Sequence, residues 1–283
     1  MISVQNVSFS YNAKPFIKDI AFEVEQGEIF GFLGPSGAGK STLQKILTGM
    51  LPQYTGHVSV GGVDMHHRSK SFYENIGVDF EFPSLYGKLT ARENLHFFSS
   101  LYQRKSLSSD KLLKMVGLEA DADKKISAFS KGMKSRLNFV KALAHQPEIL
   151  FLDEPTSGLD PVNARGMKDI ILEERRKGRV IILTTHNMHD AAELCDRVAF
   201  IVNGTIRALD TPHNLIMSRG AIRIRYTWNH EDGREASGEI PCNATGTDGQ
   251  LNSLIKENRL TSIHSQEPTL EDIFIDITGR SLE

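Results

Sequence analysis

The spacing of apolar residues changes along the chain, and each change predicts a new kind of element. In residues 4–11 and 16–24, apolar and polar residues alternate, with Asn12 and Pro15 between the two runs. Alternation interrupted by turn residues is typical of short strands. We therefore expect the chain to begin with a set of antiparallel strands.

Continuous apolar runs then replace the alternation, as is typical of strands buried on both faces of a parallel sheet. These runs occupy residues 29–33, 149–152, 180–185 and 198–202. Helical stretches lie between them, near 42–47, 161–177 and 188–195. Strands that alternate with helices predict an α/β fold with a mainly parallel sheet and right-handed crossovers.

Residues 88–145 interrupt this alternation with a block of helical periodicity. The block opens at Thr90, where Glu93 completes a capping-box signature. Apolar residues then recur at helical spacing, and two further helical stretches follow near 109–116 and 133–145. We predict a helical subdomain inserted into the α/β core.

The pattern changes again after about residue 220. Residues 222–228 alternate between apolar and polar, Asp232-Gly233 suggests a hairpin turn, and Thr269 with Asp272 predicts a capped final helix that stops at Gly279. The sequence therefore predicts a main domain over residues 1–220 and a small α+β appendage over residues 221–283.

Composition narrows the class of protein. The formal net charge is −2 at pH 7. The chain therefore lacks the excess of basic residues that would indicate a nucleic-acid partner. The two cysteines, Cys195 and Cys242, are too few for a disulfide framework or a zinc site. The N-terminus has no signal-peptide pattern, and no apolar run approaches the ~20 residues of a membrane-spanning helix. We expect any membrane-embedded partner to be a separate polypeptide.

The chemistry begins between the first buried strand and its helix, where residues 34–41 fit the pattern G-x-x-x-x-G-K-[ST]. In this P-loop pattern, backbone N–H groups and a helix N-terminus surround the phosphates of a nucleotide. Lys40 is expected to reach the β- and γ-phosphates, and Ser41 to ligate Mg²⁺. The predicted nucleotide-binding residues of this segment are Gly34, Pro35, Ser36, Gly37, Ala38, Gly39, Lys40, Ser41 and Thr42.

A pair of acidic residues ends the buried strand at 149–152. Asp153 is placed to hold Mg²⁺, directly or through water, and Glu154 can act as general base on an attacking water. An acidic pair could also simply cap the next helix. After a P-loop, the catalytic interpretation is favoured.

Further motifs resemble those of the ATP-binding cassette (ABC) ATPases. Residues 129–137, with the sequence FSKGMKSRL, resemble the family's LSGGQ signature, and residues 157–160 resemble its D-loop. The resemblance covers residues 2–215 and implies that ATP and Mg²⁺ are the cofactors. It implies adenine stacking by Tyr11, γ-phosphate contact by His186, and nucleotide contacts by Ser130, Gly132 and Asp160. Lys40, Glu154 and His186 are then the expected catalytic residues.

The chain departs from the family pattern at two places. In the signature, Lys131 and Met133 stand where glycine and glutamine are most common. At the Q-loop, Glu81 stands in place of the usual glutamine. A carboxylate can approach Mg²⁺ or the attacking water, but it donates a hydrogen bond only when protonated. Glu81 is therefore expected to contribute to nucleotide or metal binding by accepting bonds.

The C-terminal segment, residues 267–279, resembles that of ABC-2-type exporter ATPases. The wider resemblance to the ABC family implies a second ATPase subunit, identical or different, that docks head to tail so that each signature covers the partner's P-loop. It also implies a separate transmembrane permease, docked near Glu81 and the helical subdomain. The expected location is peripheral, at the cytoplasmic face of the cell membrane.

Three alternatives remain at this point. A soluble ABC ATPase of translation or DNA repair usually has two cassettes or long coiled-coil insertions, and the sequence has neither. A nucleotide-sensing module without hydrolysis is disfavoured by Glu154 and His186. A metabolic kinase or GTPase is disfavoured because the signature segment has no place in those families.

Overall fold

The computed structural model describes residues 1–12, 14–219, 223–229, 234–266 and 268–279. These residues form two compact units, one from Met1 to Thr211 and one from Pro212 onward. Among the described residues, none of the helices has the length and apolar composition of a membrane span.

The first unit combines two sheets with the helices that connect their strands. In chain order, its elements are β1 (Ile2–Tyr11), β2 (Lys14–Val24), β3 (Ile29–Leu33), α1 (Lys40–Leu47), β4 (Tyr54–Val60), β5 (Val63–Asp64), β6 (Ile76–Asp79), α2 (Ala91–Ser99), α3 (Ser109–Met115), α4 (Lys131–Leu143), β7 (Ile149–Asp153), α5 (Pro161–Arg176), β8 (Val180–Thr185), α6 (Met188–Leu194), β9 (Arg197–Val202) and β10 (Thr205–Asp210).

The central sheet positions the functional residues. Its strand order is β10-β9-β3-β8-β7-β6, and every pair is parallel except the antiparallel edge pair of β9 and β10. Leu33 at the end of β3 pairs with Thr185, and Asp153 at the end of β7 pairs with Thr184. The carboxyl ends of β3, β8 and β7 therefore lie side by side, where ligands bind in open α/β sheets.

The second sheet of this unit is antiparallel, in the order β2-β1-β4-β5. Its inner side chains share one apolar core with β3 and α1, in which the rings of Phe22 and Phe30 stack with centroids 5.2 Å apart. The α/β fold class is confirmed, with a mainly parallel sheet and an additional antiparallel sheet. Strand β10 was not predicted, because its half-exposed residues lack a continuous apolar run.

The stretch that was predicted to be helical contains α2, α3 and α4. The capping box at the start of α2 is confirmed. The Thr90 side chain accepts a bond from the Glu93 backbone N–H, and the Glu93 carboxylate accepts one from the Thr90 backbone N–H. Two short 3₁₀ turns, Glu119–Asp121 and Ile126–Ala128, connect α3 to α4.

The second unit is a small α+β structure. Its elements are α7 (Pro212–Arg219), β11 (Arg223–Asn229), β12 (Glu235–Pro241), α8 (Gly249–Lys256), β13 (Leu260–Gln266) and α9 (Leu270–Thr278). The antiparallel sheet has the order β12-β11-β13 and buries Tyr226 and Trp228, as the alternation predicts. The capping box of Thr269 with Asp272 is also present, and Gly279 ends α9 in the left-handed conformation.

Two details of the predicted appendage need comment. The unit begins at Pro212 rather than at 221, since α7 packs against α9 and so belongs with the later elements. The predicted turn at Asp232-Gly233 lies outside the described residues.

Candidate functional site

The loop between β3 and α1 has a backbone that requires glycine. Gly34 has φ 155°, and a Cβ added there would lie 2.2 Å from the backbone oxygen of Ile201. Gly39, the N-cap of α1, has φ 115°. Both angles favour glycine over residues with a side chain. The loop therefore turns sharply between the end of β3 and the N-terminus of α1.

Lys40 is buried at the first position of α1, with 9% of its surface exposed. Its Nζ donates to the backbone oxygens of Gly34, at 2.6 Å, and Pro35, at 3.1 Å. Burial lowers the pKa of Lys40, and the nearby carboxylates of Glu154, Asp153 and Glu81 oppose that shift. A bound polyphosphate would add negative charge beside this ammonium and favour its charged form.

Asp153 and Glu154 are neighbours in sequence, but their side chains have different partners. The Asp153 carboxylate accepts from the Ser41 hydroxyl, at 3.3 Å, and from the Thr184 hydroxyl. Glu154 has φ 53°, in the left-handed region, where a residue with a side chain is strained. The change of backbone direction separates the two carboxylates, as expected from their different predicted roles.

Three donors hold the Glu154 carboxylate. Its Oε2 accepts from the Thr185 hydroxyl at 3.1 Å, and its Oε1 accepts from the His186 backbone N–H at 2.9 Å. His186 Nδ1 lies 2.7 Å from the same Oε1. Since β7 and β8 are adjacent, the register of the sheet brings these residues together.

These residues surround a cavity of about 340 Å³. Its lining includes most of the residues predicted from the sequence, namely Ser36, Gly37, Ala38, Gly39, Lys40, Ser41, Thr42, Glu81, Asp153, Glu154 and His186. Gly34 and Pro35 contribute through their backbone oxygens, which hold Lys40.

The cavity also has an aromatic wall, formed by Phe16 rather than by the predicted Tyr11. Tyr11 is 43% exposed, and its hydroxyl shares a hydrogen bond of 3.3 Å with Thr42. The two rings meet edge to face with centroids 5.4 Å apart. Sequence analysis missed Phe16.

Ser130, Gly132 and Asp160 are outside the lining of this cavity. Ser130 is the N-cap of α4 and accepts a bond from the Met133 backbone N–H at 3.2 Å. Asp160 caps α5 in the same way. A Cβ on Gly132 would lie 3.4 Å from Leu159, so the start of α4 and the D-loop are neighbours. These two helix starts form a second group of candidate residues.

The cavity fits a magnesium ion bound together with a nucleotide. Mg²⁺ is usually held by one or two protein oxygens, with phosphates and waters completing its shell. The Ser41 and Asp153 oxygens, 3.3 Å apart, supply such a pair, and Glu81 lines the same cavity. No cluster of three or more His, Cys, Asp or Glu side chains able to hold a metal occurs among the described residues.

A second cavity, the apolar groove, encloses about 350 Å³ between the end of α1, β6, α2 and α4. Its lining is mainly apolar, and includes Met50, Phe80, Phe98, Leu101 and Tyr102, with Ser84 and Lys141 as polar members. Leu101 is 61% exposed. The groove is therefore an accessible apolar surface beside the polar cavity.

Comparison with known proteins defines the class. The family model described as "ABC transporter" matches residues 17–157. A fluoroquinolones export ATP-binding protein of Mycobacterium tuberculosis is 46% identical over 100% of this chain and 94% of its own. The chain belongs to the ABC transporter family. Within that family it is an ATP-binding, ATP-hydrolysing subunit, as the sequence motifs predicted.

More distant relatives support the same family assignment. A linearmycin resistance ATP-binding protein of Bacillus subtilis is 33% identical over 100% of this chain and 99% of its own. A solved ATP-binding subunit of an ABC transporter is 29% identical, with a TM-score of 0.70 over 77% of this chain and 92% of its own. A dimeric cassette bound to ADP and Pi, at 24% identity, shares the fold with a TM-score of 0.68 over 75% of this chain and 98% of its own.

Proposed function

We propose that two ATPase subunits pair head to tail, each closing the other's nucleotide cavity, and that this closure drives a separate membrane permease. The observation that carries the proposal is the position of Ser130. Lys40, Asp153, Glu154 and His186 line one cavity, whereas Ser130 is exposed at the start of α4 and outside that lining. A helix start that presents N–H groups suits an anion held by another subunit.

Within each cavity, the residues have distinct tasks. The P-loop amides and Lys40 bind the phosphates, while Ser41 and Asp153 would hold Mg²⁺, which would offset the negative charge of the phosphates. Glu154 accepts the proton of the attacking water. His186 and Glu81 contact the γ-phosphate region. Tyr11 stacks on the adenine, and Phe16, whose ring meets that of Tyr11 edge to face, contributes to the same aromatic wall.

Closure depends on the γ-phosphate. ATP offers contacts to His186 and to the partner's Ser130 that ADP lacks, so ATP stabilises the closed pair and hydrolysis releases it. A ligand shifts such an equilibrium only by its difference in affinity for the two states. The γ-phosphate supplies that difference.

The permease docks in the apolar groove. An exposed apolar surface rimmed by polar groups is typical of a protein interaction site, and Leu101 and Met50 are 61% and 54% exposed there. Docking places the chain peripherally, at the cytoplasmic face of the membrane.

The relatives are named for fluoroquinolone export and linearmycin resistance, which favours export as the direction of transport. Fluoroquinolone accumulation in cells lacking this chain tests that direction.

A complementation experiment tests the shared cavity. Lys40→Ala removes a phosphate contact, and Ser130→Asp directs a negative charge at the partner's triphosphate. Aspartate caps a helix as well as serine does, so the second change preserves α4. Each variant alone should lose most ATP hydrolysis.

A 1:1 mixture forms mixed pairs in which one cavity is intact. With random pairing, phosphate release should recover to about a quarter of the wild-type rate. A mixture no more active than the sum of its parts would contradict the head-to-tail arrangement.

A further inference from the structure

One segment, residues 79–84, borders both cavities. It begins at Asp79, the last residue of β6. Glu81 lines the nucleotide cavity, while Phe80 and Ser84 line the apolar groove. The position of Glu81 therefore depends on how its neighbours are held at the groove.

Two side chains of α4 hold this segment at both ends. Asn138 Nδ2 donates to the Asp79 carboxylate and to the backbone oxygen of Phe80, the latter at 3.2 Å. Lys141 Nζ donates to the backbone oxygen of Ser84 at 3.1 Å and to Asn138 Oδ1 at 2.6 Å. Residues three apart share a helix face, so these bonds form one connected network.

The Asp79 end of the network is buried. Asn138 is 2% exposed and Asp79 is 3% exposed. A buried carboxylate that loses its donor is costly, because water cannot replace the lost bond. Segment 79–84 and α4 are therefore held together as one body.

Lys141 also contacts the wall of the groove. Its ammonium lies 4.6 Å from the centroid of the Phe98 ring, a cation–π distance. The same side chain thus contacts the groove, the backbone of Ser84, three residues after Glu81, and Asn138. The helix that carries these contacts is capped at its start by Ser130, the signature serine.

We infer that Asn138 and Lys141 are positioning residues that fix Glu81 in the nucleotide cavity from the signature helix. The inference deepens the proposed function and rests on it. Neither side chain lines the nucleotide cavity, so both act through Glu81. Their loss should lower the rate of hydrolysis more than it weakens ATP binding.

A double-mutant cycle on the purified full-length chain tests this inference. Asn138→Ala should lower kcat about threefold to tenfold, with KM changed less than about twofold. In a Glu81→Ala background, the same change should have no further effect on kcat, because the residue that it positions is gone. Lys141→Met should behave likewise, and Lys141→Arg, which keeps a donor for Ser84, should restore kcat. Lys114→Met, at an exposed position of α3, is the matched control.

The outcomes are distinct. Effects of Asn138→Ala and Glu81→Ala on kcat that simply multiply would overturn the inference, as would a Glu81→Ala variant with unaltered kinetics. If thermal unfolding shows that Asn138→Ala does not fold, the Lys141→Met cycle decides. Failure of the proposed function would show separately, as absent recovery in the complementation mixture.

Discussion

The nucleotide cavity, of about 340 Å³, and the apolar groove, of about 350 Å³, lie in the same unit and share one segment. The cavity takes most of its lining from one continuous segment, residues 36–42, and from residues at the ends of the adjacent strands β7 and β8. The groove takes its lining from several helices, strands and loops spread between residues 48 and 142. Anion binding requires particular residues at fixed spacing, whereas an apolar surface requires only approximate shape and polarity.

The largest effect is expected from Glu154→Gln, which changes the nucleotide cavity and leaves the apolar groove unaltered. Glutamine is nearly the same size but cannot accept the water's proton. Turnover should fall by about 10²–10⁴-fold while ATP binding is retained. Phosphate release measures turnover, and size-exclusion chromatography with ATP should show a trapped pair of subunits.

Glu173→Gln, on the exposed face of α5, is the matched control for this change and should keep normal turnover. Wild-type turnover in Glu154→Gln would mean that another residue is the base. Loss of ATP binding would mean that Glu154 holds the nucleotide instead.

The sequence predicted the cavity because its chemistry restricts residue choice. Gly34, Lys40 and Glu154 each occupy a position that few other residues can fill. The capping boxes at Thr90 and Thr269 could be predicted for the same reason, since their reciprocal hydrogen bonds require particular side chains three residues apart.

The sequence did not predict Phe16 or the network of Asn138 with Asp79. Phe16 is one of many apolar residues in an alternating strand, so its pattern does not distinguish the cavity from the core. Asn138 and Asp79 are 59 residues apart, and only the packing of α4 against β6 brings them together. The adenine contact of Tyr11 stays a prediction.

A smaller effect, on the free energy of unfolding, is expected from His145, which packs against the groove residue Tyr102. Its ring stacks on Tyr102 with centroids 3.6 Å apart, and its Nε2 bonds to the backbone oxygen of Ile76 at 2.9 Å. Burial lowers the pKa of His145 from 6.5 to about 4. Nδ1 is buried and has no partner among the described residues, so a proton there would be an unpaired donor.

Because this pKa is depressed in the folded state, the stability that His145 contributes is complete above pH 6.5 and is lost as the pH falls toward 4. Between pH 7 and 4.5 the wild-type chain should lose about 2–3 kcal/mol of unfolding free energy through this residue. Urea unfolding of wild type and His145→Gln at both pH values isolates that loss. Equal pH dependence in the two proteins would exclude His145 as the cause.

The smallest expected effect is on membrane binding, and it distinguishes the role of the groove from that of the nucleotide cavity. Leu101→Asp places a charge on an exposed groove residue that the nucleotide cavity does not contain. Burying leucine against a permease is worth about 1.5–3 kcal/mol, so the affinity for membrane vesicles of the native host should fall at least about tenfold. The affinity of the purified chain for ATP provides the check on folding.

Ile255→Asp makes the matching change at an exposed apolar residue of α8, 51% exposed and outside the groove. If the groove is the docking surface, Ile255→Asp keeps normal membrane binding while Leu101→Asp loses it. Equal losses would indicate a general response to added charge, and no loss in either would place the permease contact elsewhere. The first pattern would establish that two cavities sharing one segment have separate ligands, one a nucleotide and the other a protein.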